Sequence, residues 1–400
     1  MLRSKQRLKW VPYIALTAII LVCLAVLGLL GQTGGLFTAG ASVRSASSFR
    51  DLPRGVSFEG ASGPVFHAFN SAGYAFATRD GVRFIGANGE ITQEYVFTLG
   101  NVHLYANQDH FIVYEPGGSD ARVFSPSGMM YHRAFDGRIL SASVNSSGSS
   151  AFVVRTTASY KTRLFDPSGA EPPAMRYIVH ADENVFPVSA AISEDGRIAA
   201  VALLDVDGAN VLSRLAFYYL NEQAQSHSEG LFARLQFDNE VAGRLMFFPD
   251  GSLAIFSDRT IRQISFLGDV VAETSVITLG NRISRLTRTG GGFAAALGEG
   301  FVGMDSDRAG TVISFDSALS ERFRFNPDRN TTYIWANDNA LVVGAGRSIY
   351  GLSRDGRVLW NYNATQDYSQ VLMLENRDTI LFAARSEARV MRRATGFSLQ

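Results

Sequence analysis

The chain has 400 residues, with 37 Lys and Arg, 37 Asp and Glu, and a formal net charge of zero. A balanced charge gives no electrostatic attraction for nucleic acid or for a strongly acidic substrate, so we expect neither as a partner. The single cysteine, Cys23, lies in an apolar run near the N-terminus. The rest of the chain therefore has no disulfide, zinc–thiolate cluster or thiol nucleophile.

A membrane anchor is predicted at the N-terminus. Residues 1–10 carry four basic side chains, and residues 11–31 are uncharged and almost wholly apolar. About 20 such residues span a bilayer core of about 30 Å as a helix. Trp10 and Tyr13 lie where interfacial aromatic residues are expected. The positive-inside rule then predicts a single-pass protein of the cell (inner) membrane, with residues 1–10 in the cytoplasm and the rest extracytoplasmic or periplasmic.

A cleaved signal peptide is the alternative reading of the same segment, because Ala39-Gly40-Ala41 offers an A-x-A pattern. The apolar run is longer than the 7–15 residues typical of a signal peptide core, and the A-x-A lies well beyond its end. Both readings export the bulk of the chain.

A flexible linker is predicted over residues 32–53, which are rich in Gly, Ser, Ala and Thr. Residues 54–400 are then the folded domain. The linker predicts a domain that stays close to the membrane and turns freely.

One repeated pattern fills the domain: short strands rich in Val, Ile, Phe and Tyr, separated by polar turns that contain Gly. Pairs such as Asp80-Gly81, Asn88-Gly89 and Asp355-Gly356 supply the positive φ that two-residue hairpin turns need. The pattern predicts eight units of four strands each, starting near residues 66, 102, 138, 186, 244, 281, 331 and 369.

A period of about 43 residues is typical of propeller blades, so the predicted fold is all-β: one β-propeller of eight four-stranded blades. Seven blades is the alternative, if two weak units around residues 281–330 form one elaborated blade. The last unit ends after its third strand, and the segment at Gly55 supplies the missing outer strand, which closes the ring. Short helical turns are predicted only within Asn221–Ala233 and Asp316–Arg324.

The unit Tyr350-GLSRDG-Arg357-VLWNY is similar to the repeat of quinoprotein-like (PQQ-repeat) propellers, and the other units look more like WD40-like repeats. The resemblance implies a propeller. That superfamily contains quinone-dependent dehydrogenases and also membrane-anchored, non-enzymatic binding scaffolds, and we place this chain with the scaffolds. The dehydrogenases often use a vicinal Cys pair, which is absent, while Trp335 and Trp360 offer aromatic platforms but fit blade packing better.

Asp305, Asp307 and Asp316 are the candidate metal ligands, because their spacing partly resembles a calcium loop. Ala309 replaces an expected ligand, and Asp and Gly are also ordinary turn residues. The six histidines have no metal-ligand spacing, and no nucleophile elbow or phosphate loop is present. We therefore assign no catalytic residue and no cofactor.

The predicted function is a membrane-anchored, extracytoplasmic protein-binding scaffold of the cell envelope, with the partner on a propeller face. The loops Asn221–Gly230 and Glu299–Gly310 are the first candidates for contact. The alternative is a ligand sensor, or a hydrolase or lyase, with its site in the central funnel. That alternative requires several Asp, Glu or His side chains converging on the channel.

Overall fold

Eight antiparallel sheets follow one another along the chain, and each forms one blade of a β-propeller. The computed structural model describes residues 38–40, 46–58, 64–69, 73–172, 177–180, 184–298, 310–374 and 377–394. The predicted all-β fold with eight four-stranded blades is confirmed, and the seven-blade alternative is wrong, because the units that start near residues 281 and 331 form two separate sheets. Blade starts agree closely: the largest difference is two residues, as between 281 and Ile283.

The strands of the first four blades are β3 (Val65–Ala68), β4 (Tyr74–Thr78), β5 (Gly81–Ile85) and β6 (Ile91–Val96); β7 (His103–Asn107), β8 (His110–Tyr114), β9 (Asp120–Ser125) and β10 (Gly128–Ala134); β11 (Arg138–Val144), β12 (Ser150–Arg155), β13 (Tyr160–Phe165) and β14 (Tyr177–His180); and β15 (Val185–Ile192), β16 (Ile198–Asp205), β17 (Leu212–Tyr219) and β18 (Leu231–Asp238).

Those of the last four blades are β19 (Arg244–Phe247), β20 (Leu253–Phe256), β21 (Thr260–Leu267) and β22 (Val270–Thr278); β23 (Ile283–Thr289), β24 (Gly292–Leu297), β25 (Val312–Asp316) and β26 (Glu321–Asn326); β27 (Tyr333–Ala336), β28 (Ala340–Ala345), β29 (Ser348–Ser353) and β30 (Val358–Asn363); and β31 (Gln370–Leu374), β32 (Thr379–Ala383), β33 (Glu387–Arg393) and β2 (Phe49–Ser57). A short strand, β1 (Thr38–Gly40), is a fifth strand at the edge of blade 6.

The ends of the domain share blade 8. Strand β2 pairs antiparallel with β33, from Phe49 opposite Arg393 to Ser57 opposite Glu387. This strand begins inside the segment 32–53 that the sequence assigns to the linker. We call the face where the chain enters, beside the end of β33, the entry face. It carries the turns that follow the first and third strands of the blades, and the opposite face is the far face.

The core lies between neighbouring blades, with one hydrophobic cluster at each of the blade interfaces. The second strand of each blade is covered on both sides, so it appears in the sequence as a continuous apolar run. In β12, Ala151 is 1% exposed and Phe152, Val153 and Val154 are fully buried. This is why the period-two alternation of a half-buried strand is weak at the centre of the repeats.

Two short connections have the character of 3-10 helix, Glu222–Ser226 and Ser228–Gly230, and both lie within the predicted helical segment Asn221–Ala233. The other prediction, over Asp316–Arg324, is wrong. There a tight turn leads straight into β26, because Leu319 adopts a φ of 61° and ends any helical path.

The predicted anchor, residues 11–31, lies outside the described residues together with residues 1–10. Within the part of the chain that the structure describes, no helix has the length and apolar character needed to cross a bilayer.

Candidate functional site

The entry-face end of the central channel is crossed by one ion pair. Glu194 follows the first strand of blade 4, and its Oε1 lies 3.0 Å from Nη1 of Arg288 on the first strand of blade 6. The same carboxylate accepts hydrogen bonds from Asn107 Nδ2 at 3.1 Å and from the Ser146 backbone N–H at 2.7 Å. Arg288 also donates to the Phe247 carbonyl. These five residues come from blades 2 to 6, so the network around the pair links blades 2 and 6, which lie on opposite sides of the ring.

A second residue reaches across the channel from its far-face end. Arg244 begins the first strand of blade 5, and its guanidinium carbon lies 5.5 Å from the centre of the Tyr105 ring in blade 2. Burial, reinforced by the positive charge of Arg244, lowers the pKa of the neighbouring His103. Between the two crossings lies a cavity of about 140 Å³.

The channel carries guanidinium and imidazole groups where a hydrolytic site would need several carboxylates. Glu194 is already bound to Arg288, and only 11% of its side chain is exposed. Among the described residues, no three His, Cys, Asp or Glu side chains are grouped closely enough to hold a metal ion. A carboxylate-based hydrolase or lyase therefore finds no support in this part of the molecule.

Of the predicted calcium ligands, Asp316 is the last residue of β25 and starts the turn to β26. Its Oδ1 accepts hydrogen bonds from the backbone N–H groups of Ala318 and Ser320 at 3.0 and 2.8 Å. This is the side-chain arrangement of an Asx turn. Asp305 and Asp307 lie outside the described residues, so the calcium site stays a prediction.

The histidines and tryptophans singled out in the sequence are dispersed over the ring. His180 meets Thr162 in blade 3, and His132 pairs with Asp120 in blade 2. Trp360 is 1% exposed and packs between blades 7 and 8, as expected of a structural tryptophan. The other described histidines and tryptophans lie elsewhere. Trp335 and His67 line the channel cavity, and His103 and His110 belong to blade 2. His227 lies between blades 4 and 5.

Stability is expected to fall as the pH drops from about 6.5 to about 4, because of His67. Burial lowers the pKa of this imidazole to about 4, with smaller opposing effects from Asp109 and the Gln108 backbone. Below pH 6.5 the unfolded chain takes up a proton that the folded chain refuses, so protonation favours unfolding. A tenfold change in proton affinity is about 1.4 kcal/mol, which makes the full loss about 3 kcal/mol.

Urea unfolding at several pH values checks this effect, with His67→Phe as the comparison. The phenyl ring keeps the packing of His67 against Phe69 and Phe111, whose ring centres lie 5.2 and 5.0 Å away. The variant should lose less stability than the wild type between pH 6.5 and 4. If the free energy of unfolding falls equally with pH in the two proteins, His67 is not the group responsible.

An apolar projection is formed at the outer rim of blade 5, on the entry face. The hairpin between β21 and β22 turns through Gly268 and Asp269, and Leu267 and Val270 stand directly opposite each other at its tip. Leu267 is 82% exposed and Val270 is 64% exposed. Their neighbour Phe266 points the other way and packs on Phe217 of blade 4, with ring centres 5.3 Å apart.

The hairpin tip is held in place by the long connection of blade 4. The Tyr219 hydroxyl donates to Asp269 Oδ1 at 3.0 Å, and His227 Nε2 lies 3.4 Å from the same oxygen. The Tyr219 ring also stacks on Phe232 at 4.1 Å. We call Leu267, Val270 and the connection 222–230 the rim surface.

The rim surface has acidic side chains around its apolar tip. Glu222 and Glu229 are exposed in the connection, and the Asp269 side chain is 62% exposed. Glu229 adopts a φ of 53°, so the backbone there makes a tight turn that presents its carboxylate to solvent. The surface therefore combines two apolar side chains with three carboxylates.

The model of one protein family, described as "Family of unknown function (DUF5711)", matches residues 66–392. The chain belongs to this family. The matched residues run from the first strand of blade 1 to the third strand of blade 8, so the DUF5711 region is the propeller itself. No curated protein sequence matches the chain.

The chain is similar to solved structures at low sequence identity. BamB from Moraxella catarrhalis is 11% identical, with 86% of this chain and 100% of that chain covered, at a TM-score of 0.49. Sqt1 from Chaetomium thermophilum, bound to the N-terminus of the ribosomal protein L10, is 11% identical, with 87% and 99% covered, at a TM-score of 0.51. At this identity the similarity to Sqt1 shows the fold of this DUF5711 member and nothing more.

The residues of the rim surface were only partly visible in the sequence. The length of the connection 221–230 is visible in the sequence, whereas Leu267 and Val270 look like ordinary strand residues. One sequence signal is present: apolar residues flank the Gly268-Asp269 turn, although solvent-exposed hairpin tips are normally polar. The channel residues Glu194, Arg244 and Arg288 belong to no motif, so the sequence alone does not identify them.

Proposed function

We propose that the protein is a membrane-anchored, extracytoplasmic β-propeller that binds a protein partner through the rim surface. The proposed anchor is the apolar segment 11–31 with four basic residues before it. The positive-inside rule supports an exported domain, in a single-pass protein of the cell membrane.

The observation that carries the protein-binding function is the exposed pair Leu267 and Val270. Because these two apolar side chains protrude into water, their burial against a partner gives a favourable free energy of binding. Tyr219 and His227 already fix the turn through Asp269, so little conformational entropy is lost on binding.

The acidic residues around the tip define the partner's chemistry. Glu222, Glu229 and Asp269 favour a protein that presents an apolar surface bordered by Lys or Arg, because complementary charge speeds association and selects the partner. Sqt1, a propeller of similar fold, binds a segment of another protein, which supports the use of such a ring as a docking platform.

The rim surface is tested by photo-crosslinking in intact cells, with the crosslinking residue at the exposed position Gln225. We expect one partner to be captured, and the double variant Leu267→Asp, Val270→Asp to reduce its yield at least tenfold. Exposed substitutions of this kind change the free energy of unfolding by no more than about 0.5 kcal/mol.

The matched control is Val96→Asp, because Val96 is 83% exposed on the outer strand of blade 1, away from the rim surface. The control should leave the crosslink unchanged. Capture that survives the double variant, or is lost equally in the control, would contradict the proposed surface. In the same cells, alkaline extraction should leave the full-length chain with the membranes; release of the intact domain would point instead to cleavage near Ala41.

A further inference from the structure

The cavity inside the channel has the size of a small-anion site. Its volume of about 140 Å³ is bounded by first strands of blades 1, 2, 5, 6 and 7 and by the turns after some of them. Since one water occupies about 30 Å³, the cavity holds a handful of waters or one small ion. Typical sites for drug-sized ligands and cofactors measure about 300–1,000 Å³, so ligands of that size are too large for this cavity.

One of the two arginines that line the cavity has no ion-pair partner among the described residues. Of the two lining arginines, Arg288 is matched by Glu194 at 3.0 Å. Arg244 makes no ion pair with any residue that the structure describes, and its neighbours include the Tyr105 ring and the His103 imidazole, whose pKa is lowered. The lining carboxylate, Asp338, is exposed at the entry-face mouth. A partly buried guanidinium without a counterion favours an anionic ligand.

Polar atoms around the same cavity have no partner within the described protein. His67 Nε2 and Thr289 Oγ1 are buried without a hydrogen bond, and both residues line the cavity. Asn107 Oδ1, next to the lining residue Ala106, is also buried without a hydrogen-bond partner. Buried polar atoms of native proteins nearly always have partners, so several orphans around one cavity indicate a polar occupant.

The chemistry of His67 restricts that occupant further. The ring is 6% exposed, and its other nitrogen is engaged with the Gln108 backbone. Burial lowers the pKa of the imidazole to about 4, so at neutral pH Nε2 carries no proton and only accepts. Asp109 and His110 are the other titratable groups acting on this ring. An occupant must therefore donate one hydrogen bond.

We propose that the channel cavity binds a small oxyanion that also carries a hydroxyl proton. Its charged oxygens pair with the guanidinium of Arg244, its O–H donates to His67 Nε2, and the Thr289 hydroxyl supplies a further hydrogen bond. Hydrogen phosphate and small hydroxycarboxylates share this chemistry. The site is separate from the rim surface, so this proposal does not depend on the proposed protein partner.

The test is isothermal titration calorimetry, which measures anion binding to the full-length protein in detergent at pH 7.5 and constant ionic strength. The probes are inorganic phosphate and lactate, with sulfate and acetate as matched anions that have no O–H to donate. A site with a buried acceptor rejects ligands that leave that acceptor unpaired. We expect saturable binding of phosphate or lactate, at least tenfold tighter than the matched anion. Which of the two binds identifies the source of the oxyanion.

Variants separate this site from nonspecific anion binding. Arg244→Gln should weaken binding at least tenfold, whereas Arg285→Gln, an exposed arginine on the first strand of blade 6, should leave it unchanged. His67→Phe should remove the preference for the hydroxyl-bearing anion. Absence of binding by both probes, equal binding of sulfate and phosphate, or unchanged binding in Arg244→Gln would overturn the proposal.

Discussion

Replacing Glu194 by alanine is expected to lower the free energy of unfolding by about 3–5 kcal/mol, because the change leaves Arg288 as an unmatched buried charge. Only 18% of the Arg288 side chain is exposed, and water cannot replace the carboxylate fully. The substitution also removes the acceptor used by Asn107 Nδ2 and the Ser146 N–H. Blades 2, 3, 4 and 6 lose a shared contact at once.

Urea unfolding of the full-length protein in detergent measures this loss. The matched control is Asp367→Asn, which breaks an ion pair with Arg347 in which the side chains are 93% and 63% exposed. Exposed pairs contribute at most about 1 kcal/mol, so the control should stay close to the wild type. Similar small losses for both variants would mean that the channel-crossing pair does not hold the ring together.

Trp360→Ala is the second substitution with a large expected effect, a loss of about 3–5 kcal/mol. The indole is 1% exposed, and its Nε1–H donates to the Arg377 carbonyl of blade 8 at 2.8 Å. Phe49 of the closing strand packs edge-on against it, with ring centres 5.4 Å apart. Truncation therefore opens a cavity where blade 7 meets both ends of the domain.

The same contact can be disturbed from its other side. Gly351 lies opposite Trp360 in blade 7, and a Cβ at this glycine would overlap the indole. Gly351→Ala should cost about 1–3 kcal/mol through overpacking. Gly243→Ala is the matched control, because nothing lies within 4 Å of the added Cβ. Equal melting temperatures for Gly351→Ala and Gly243→Ala would contradict this packing.

The propeller could be predicted because its signals are local and repeated. Pairs such as Asp355-Gly356 mark the hairpin turns one by one, and Gly356 does adopt a φ of 82°. Eight copies of one pattern compensate for the ambiguity of each copy. The same local reasoning failed at Asp316–Arg324, where Leu319 at positive φ and the Asx turn of Asp316 override a sequence that resembles a helical turn.

The channel could not be predicted, because its residues meet only through the closure of the ring. Glu194 and Arg288 are far apart in sequence, and no motif indicates that blades 4 and 6 exchange a salt bridge there. Arg244 and His67 likewise look like ordinary strand residues until the first strands are arranged around one axis. The rim surface could be predicted in part. The length of the connection 221–230 is evident in the sequence, but the exposure of Leu267 depends on how far the blade 5 hairpin protrudes.

The closing strand has a consequence for how the molecule is made. Ser57 and Glu387, which pair at one end of β2, are about 330 positions apart. At roughly 5–20 residues per second, synthesis leaves β2 without its neighbour for roughly 15–70 s. Its apolar Leu52 and Val56 are exposed to other nascent chains during that wait. A strand that waits unpaired is open to exchange between two molecules, so rapid arrival of the C-terminal strand favours closure of blade 8 within one chain.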